Sequence, residues 1–349
     1  MFGLVDQLRR GTGRLLDASG LGPVETPFRV TAEAPGWRLR AYETGGGADG
    51  PILLIVPAPL KRAYIWDLLP EVSVVRHCLG RGLRVHLLEW IPPGPEQDRL
   101  GLSDYADSFI GTSLDAIAAE TGRRQAFLAG HSLGGTFAAI YAARHPERAK
   151  GLVLVDAPLA LAEKGGPLAL AVALAPDARL VRQTVGSPVP GSFIDLVSTA
   201  AAPHAFLWQR WTDLAASIPD PLALAVHIRA ERWTLDEFPL PGRLFDETVE
   251  SLYRDNRFQQ GTLSIAGREI GIGDIRAPVL AVVNPQGGVV PPESTLSGLA
   301  AIPDDRKRVL EYEGDRGADM QHLGPLIGPN AHRRLWPEIL DWVHERARE

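Results

Sequence analysis

With one cysteine, Cys78, among 349 residues, the chain cannot form an internal disulfide, which suits a reducing compartment. The thiol sits in VVRHCLGRG, a helix-like segment, and reads as core filler rather than a reactive group. Basic runs are missing as well. Net charge is −6, arginine far outnumbers lysine, and no patch suited to nucleic acid is visible. No uncharged apolar span reaches the roughly 18 residues that a membrane helix needs. The N-terminus, MFGLVDQLRRGTGRLLDASGLG, lacks an apolar run of signal-peptide length and a small-residue cleavage signature, so a cytoplasmic protein is expected. No histidine–cysteine cluster has metal-ligand spacing, and GGGADG (45–50) leads into a strand and reads as a turn rather than a phosphate cradle. No metal or organic cofactor is expected, and there is no internal repeat or low-complexity linker.

The 45% of hydrophobic residues suffices for a large core. PILLIVPAPL (51–60) and LRVHLLEWIPPG (83–94) are apolar runs suited to strands buried on both faces, with a helix-like stretch between them. A helix over 102–122 is expected to open with Ser103 as its N-cap and end at Gly122. RQAFLAG reads as a strand, GTFAAIYAARHPERA as an alanine-rich helix, and KGLVLVDAP (150–158) as a strand. The next tract, 159–276, is rich in Ala, Leu and Pro, shows no strand–helix alternation and reads as an inserted cap. Strands then resume at APVLAVVNPQG (277–287) and KRVLEYEG (307–314) before a terminal helix. The expected fold is α/β, a mostly parallel sheet with an inserted cap subdomain, the core being 1–158 plus 277–349. At the N-terminus Phe2, Leu4, Val5, Leu8, Leu15 and Leu16 form a stripe opposite Arg9, Arg10 and Arg14. It fits a short helix packed on its own domain, or one docking on a membrane or lipid-like inclusion.

LAGHSLGGT (128–136) carries G-x-S-x-G at a strand-to-helix junction. With 36 glycines the five letters arise by chance in roughly one to two chains in ten of this composition, so the flanks carry the argument. Gly130 and Gly134 remove Cβ atoms where strand and helix meet, and Gly135 adds room. Ser132 is therefore the candidate nucleophile. Its base is expected after the last strand, which selects His322 in ADMQHLGPLIG. His131 adjoins Ser132 but is expected to point away. The oxyanion hole is expected to use the backbone N–H of Leu133 and one from the loop after PILLIVPAPL. Pro57 and Pro59 have no N–H, which leaves Ala58 first and Leu60 second.

Beyond the elbow, the chain resembles the polyhydroxyalkanoate synthases, α/β-hydrolase relatives that polymerise hydroxyacyl-CoA, from about Pro51 to the C-terminus. The resemblance runs through LKRAYIWDLLPEVSVVRHCLGRGLRVHLLEW, GTFAAIYAARHPERAKGLVLVDAP and RWTLDEFPLPGRLFDETVESLYRDNRFQQGTLSIAGREIGIGDIRAPVL, the last being the most specific. It implies an α/β-hydrolase fold, a cytoplasmic acyl-transferring enzyme, an acyl-CoA as one partner and a homodimer. Asp67 and Glu293 match family positions outside the triad and read as structural. Two departures matter. The family's nucleophile is cysteine, where this chain has Ser132; and in NPQGGVVPPES, Gly287 stands where the family carries its triad aspartate. Serine points to ester hydrolysis through an acyl-enzyme. Asp156, at the end of GLVLVDAP, is the first candidate for the missing acid, followed by Asp315 and Asp319, with Asn284 as a neutral orienter. The expected function is serine-dependent hydrolysis of a hydroxyalkanoate polyester, its oligomers or a related ester. The alternatives are acyl transfer on serine and a non-catalytic protein of polyester inclusions.

Overall fold

A computed structural model describes residues 1–43, 49–162, 164–315 and 322–349. Its strands in chain order are β1 (Phe28–Ala34), β2 (Trp37–Tyr42), β3 (Ile52–Val56), β4 (Arg84–Trp90), β5 (Ala126–His131), β6 (Ala149–Val155), β7 (Leu263–Ile265), β8 (Arg268–Ile270), β9 (Val279–Val283) and β10 (Lys307–Glu311). All except β7 and β8 form one eight-stranded sheet in the order β1-β2-β4-β3-β5-β6-β9-β10. β2 runs antiparallel to both neighbours and the strands from β4 to β10 are parallel. Every residue of β3, β5 and β9 is buried, as central parallel strands covered by helices on both faces require.

The helices that matter here are α1 (Phe2–Ala18), α2 (Val74–Gly80), α3 (Phe109–Thr121), α4 (Leu133–Arg144), α5 (Gly166–Leu174), α6 (Ala178–Val185), α7 (Gly191–Ala201), α8 (Gln209–Ser217) and α9 (Pro221–Thr234), together with a C-terminal helix, Trp336–Arg348. Helical turns before α3 begin at residue 102, and Gly122 ends the helix at φ 72°. Ser103 is not the cap expected of it. It lies inside those turns, where its hydroxyl accepts from the Ala266 N–H (3.1 Å), while Asp104 accepts from the Gly101 N–H (2.8 Å). Cys78 is fully buried in α2, and burial pushes its thiol pKa up.

Residues 159–276 carry α5 to α9, but they are not free of strands. β7 and β8 form a hairpin turned through Ala266 (φ 45°) and Gly267 (φ 79°), the two successive positive φ angles that a tight hairpin turn needs. Leu263, Ile265 and Ile270 join the same apolar cluster as Leu133 and Phe137 of α4, so this end of the tract rests on the sheet's own helix layer. Among the described residues no helix is long and apolar enough to cross a membrane.

α1 reverses the usual arrangement of an amphipathic helix. Its polar side faces inward: Asp6 accepts from the Ser192 N–H at the start of α7 (2.9 Å) and Asp17 pairs with Arg232 of α9 (2.7 Å). Arg9 reaches Asp195 of α7 (2.9 Å) and the carbonyl of Thr234 in α9 (2.8 Å). Leu4, Leu8 and Leu15 are 63%, 63% and 71% exposed. The helix is thus held to α7 and α9 by ion pairs and by Phe2, whose ring packs edge-to-face on Phe193 (5.6 Å), while Leu4, Leu8 and Leu15 face outward.

At the junction from β5 to α4 backbone approaches backbone closely at the sheet's carboxyl edge. A Cβ on Gly134 would meet the Val56 carbonyl oxygen, the Pro57 carbonyl carbon (2.5 Å) and the Ala58 nitrogen (2.8 Å), all of them backbone that cannot yield. Gly80 in α2 has open space at the same position. Gly134→Ala is therefore expected to lower stability in urea titration by about 1–3 kcal/mol, and Gly80→Ala to leave it unchanged or raise it by up to about 1 kcal/mol. Equal stability of the two variants would contradict the reading of this junction.

Candidate active site

Ser132 adopts φ 54° and ψ −134°, a conformation costing a non-glycine residue roughly 1–3 kcal/mol. It is held from both sides, because its N–H donates to the Val155 carbonyl (3.0 Å) and its own carbonyl accepts from the Gly135 N–H (2.9 Å). His131 and Leu133 on either side are buried, whereas Ser132 remains partly exposed at the end of α4 that carries the positive half of the helix dipole.

Leu133 is the first helical residue, so its N–H has no partner within the helix. The Ala58 N–H is aimed from a distance. Trp90 Nε1 donates to the Pro57 carbonyl (2.7 Å), and the C=O and N–H of one planar peptide point in opposite directions. Pinning that oxygen therefore turns the Ala58 N–H away from Trp90, on a peptide that lies against Gly134. Among the described residues nothing accepts from it. Leu60, the second choice, belongs to a different contact, since its carbonyl accepts from the Phe238 N–H (2.8 Å).

The structure brings His131 to the site, against the expectation that it points away. Its ring lies 4.3 Å from that of His322, centroid to centroid, and its Nε2 is 2.6 Å from the His322 carbonyl oxygen. Burial pushes the His131 pKa down to about 4, and burial together with the neighbouring His131 holds His322 well below the ordinary histidine value. Both rings are neutral at pH 7. Asp156 follows β6 at φ 42° and is 3% exposed. Its N–H donates to the Val282 carbonyl (2.9 Å) and its carboxylate accepts from the Asn284 N–H (3.0 Å). Burial pushes its carboxyl pKa up to about 7. One donor atom each from His131, Asp156 and His322 lies within 4.8 Å of the others. Such an N,N,O set has the composition of a divalent-metal site, and the same convergence suits a serine–histidine–acid relay.

The other candidate acids stand apart. Asp315 accepts from the Tyr312 hydroxyl and from the Asn330 N–H (2.8 Å), which ties it to the segment before the C-terminal helix. Asp319 lies outside the described residues. The Asn284 amide oxygen accepts from the Gln286 N–H (2.8 Å) in a local turn. At Gly287 both the carboxylate and the room for one are missing, because a Cβ there would overlap the Val290 carbonyl oxygen and come within 3.1 Å of that of Asn284. Fully buried Asp67 accepts from the Thr26 N–H (2.6 Å), the Thr26 hydroxyl (2.9 Å) and Ser73, a loop-fastening role. Among the other histidines, His145 binds Asp107 (2.6 Å) and His332 the Leu326 carbonyl (2.8 Å).

A family model described as alpha/beta hydrolase fold matches residues 51–315. The poly(3-hydroxyalkanoate) polymerase subunit PhaC of Haloferax mediterranei is 29% identical over 349 residues, covering 99% of this chain and 69% of its own length. Its namesake from Allochromatium vinosum is 27% identical over 345 residues, covering 97% and 94%. Among solved structures, a carboxylesterase of Nitrososphaera gargenis superposes with a TM-score of 0.54 at 18% identity, covering 91% of this chain and 99% of its own. A thermophilic esterase from Thermogutta terrifontis gives 0.53 at 18% identity, with 92% and 99% covered. With the sheet order, the strained serine between strand and helix, and a family match over most of the chain, this protein belongs to the alpha/beta hydrolase fold family.

Proposed function

We propose that this protein is a serine-dependent carboxylic ester hydrolase that acts on a hydroxyalkanoate polyester, its oligomers or a related ester. The observation that carries the reading is Ser132, strained and partly exposed, directly after His131, whose ring packs on that of a neutral His322, with Asp156 in the same cluster. A neutral imidazole can accept a proton. As the Ser132 Oγ–carbonyl bond forms, its proton passes to His322, and the oxyanion accepts hydrogen bonds from the Leu133 and Ala58 N–H groups. Collapse breaks the ester C–O bond, the leaving alkoxide takes the proton from His322, and an acyl-enzyme remains. Water then repeats the sequence, with His322 as its base, and frees the acid. Asp156 stabilises the imidazolium in both halves. Among the described residues no hydrogen bond joins Asp156 to His322, and contacts of this kind tighten as charge develops.

A second reading is favoured by the printed name of the relatives, poly(3-hydroxyalkanoate) polymerase: acyl transfer from an acyl-CoA through the same serine. Free acid released from a short chromogenic ester identifies hydrolysis; CoA release with polymer formation identifies transfer. Loss of both in folded Ser132→Ala supports the shared nucleophile, and retention of most activity contradicts it.

The pH profile follows from Asp156. It assists only when ionised, and burial raises its pKa from 3.8 to about 7, so activity rises as pH passes upward through about 7. Asp156→Asn is expected to lower kcat about 10³–10⁴-fold with KM little changed, and to move the acid limb of the remaining activity down toward the titration of His322. An unmoved limb would contradict the assignment. Gly287→Asp added to Asp156→Asn is expected to restore less than about threefold in kcat, because the turn has no room for the new side chain; recovery of most activity would show otherwise. Trp90→Phe keeps an aromatic ring and loses the hold on Pro57, so kcat is expected to fall about tenfold or more with KM within about twofold. An unchanged kcat would mean that Trp90 does not aim the Ala58 N–H.

A further inference from the structure

His131 has no part in the relay described above, yet it touches the base twice. It ends β5 and pairs in register with Val155 of β6, in the middle of the sheet. Its backbone is therefore as fixed as any near the site. His322 lies in a turn just ahead of the short helix Gly324–Ile327. Between the two stands the 2.6 Å contact from His131 Nε2 to the His322 carbonyl oxygen. A carbonyl only accepts, so the proton of neutral His131 is on Nε2 and Nδ1 carries the bare lone pair. The rings are inclined by 41° at 4.3 Å, so the His322 imidazole is bounded on one face by a second imidazole.

A triad acid does two things, fixing the orientation of the imidazole and stabilising its cation. With glycine at 287 and no bond from Asp156 to His322, neither comes from the turn after β9. Asp156 provides charge nearby. Orientation is left to whatever grips the residue that carries the ring. We propose that His131 is a positioning residue for the catalytic base, fixing His322 by an N–H bond to its peptide carbonyl and by packing on its imidazole. This rests on the reading of His322 as the base of Ser132. A bulky apolar residue would fill the same space without the bond, and that difference separates positioning from mere packing.

The experiment compares His131→Leu, His131→Phe and His131→Gln in the full chain, each checked for folding by circular dichroism. Phenylalanine keeps a ring without a donor, and glutamine keeps an N–H donor without a ring. Hydrogen exchange of peptides covering 322–328, read by mass spectrometry, reports on the turn independently of activity. In His131→Leu or His131→Phe, whichever folds, exchange there is expected to quicken at least about tenfold, kcat for a chromogenic ester to fall at least about tenfold, and KM to stay within about twofold. His131→Gln is expected to recover kcat to within about threefold of wild type. A folded apolar variant whose exchange and kcat both stay within about twofold of wild type would overturn the proposal. A wild-type protein without Ser132-dependent turnover, alongside the quickened exchange, would instead overturn the hydrolase reading and leave the grip of His131 on this turn established.

Discussion

Strand β5 reaches the edge of the sheet and must enter α4 within one residue, and that residue is Ser132, at a positive φ that costs roughly 1–3 kcal/mol. Such a conformation persists only where both flanks are over-determined. β5 is wholly buried between β3 and β6, and α4 is buried from Leu133 to Ala143. Without a Cβ at Gly134, the first turn of the helix can lie against the end of β3. The same closeness lines up the carboxyl ends of four parallel strands: Pro57–Ala58 after β3, Ser132 after β5, Asp156 after β6 and Asn284 after β9. In open α/β sheets this is the edge where ligands bind.

Asp156 repeats the pattern at lower amplitude. It too is a non-glycine residue at positive φ, and it carries a carboxylate in a nearly dry position. Its N–H to Val282 and its carboxylate to the Asn284 N–H lash the end of β6 to the end of β9. A strained backbone and a carboxyl pKa raised by burial, occurring together beside a histidine, are a costly arrangement for a residue with no more than a structural role. The turn at Gly287 shows the converse: an aspartate side chain would collide with Val290, so the backbone here has adapted to having none.

Much of this was legible in the chain because central parallel strands are buried on both faces and read as unbroken apolar runs, as ILLIV and VLAVV do. The hairpin β1–β2 was not, since FRVTAEA is exposed or half-buried throughout and lacks an unbroken apolar run. β7 and β8, at three residues each, are too short to show a period. Ser103 had the form of an N-cap, but the helical turns already begin at Leu102 and its hydroxyl went to Ala266. Ser132 stood out as the candidate nucleophile by its motif and flanks, and His322 as the candidate base by its place after the last strand. His131 did not: strand alternation sends neighbours to opposite faces, and the positive φ at Ser132 breaks that rule where it matters. A histidine immediately before the serine was the available signal.

The central claim is that Ser132 is a nucleophile activated within this turn. Treatment with a fluorophosphonate followed by peptide mass mapping tests it without knowledge of the substrate. A single adduct on Ser132, absent after denaturation before treatment, is the expected result. No adduct on the folded protein, or one confined to another residue, would contradict the account.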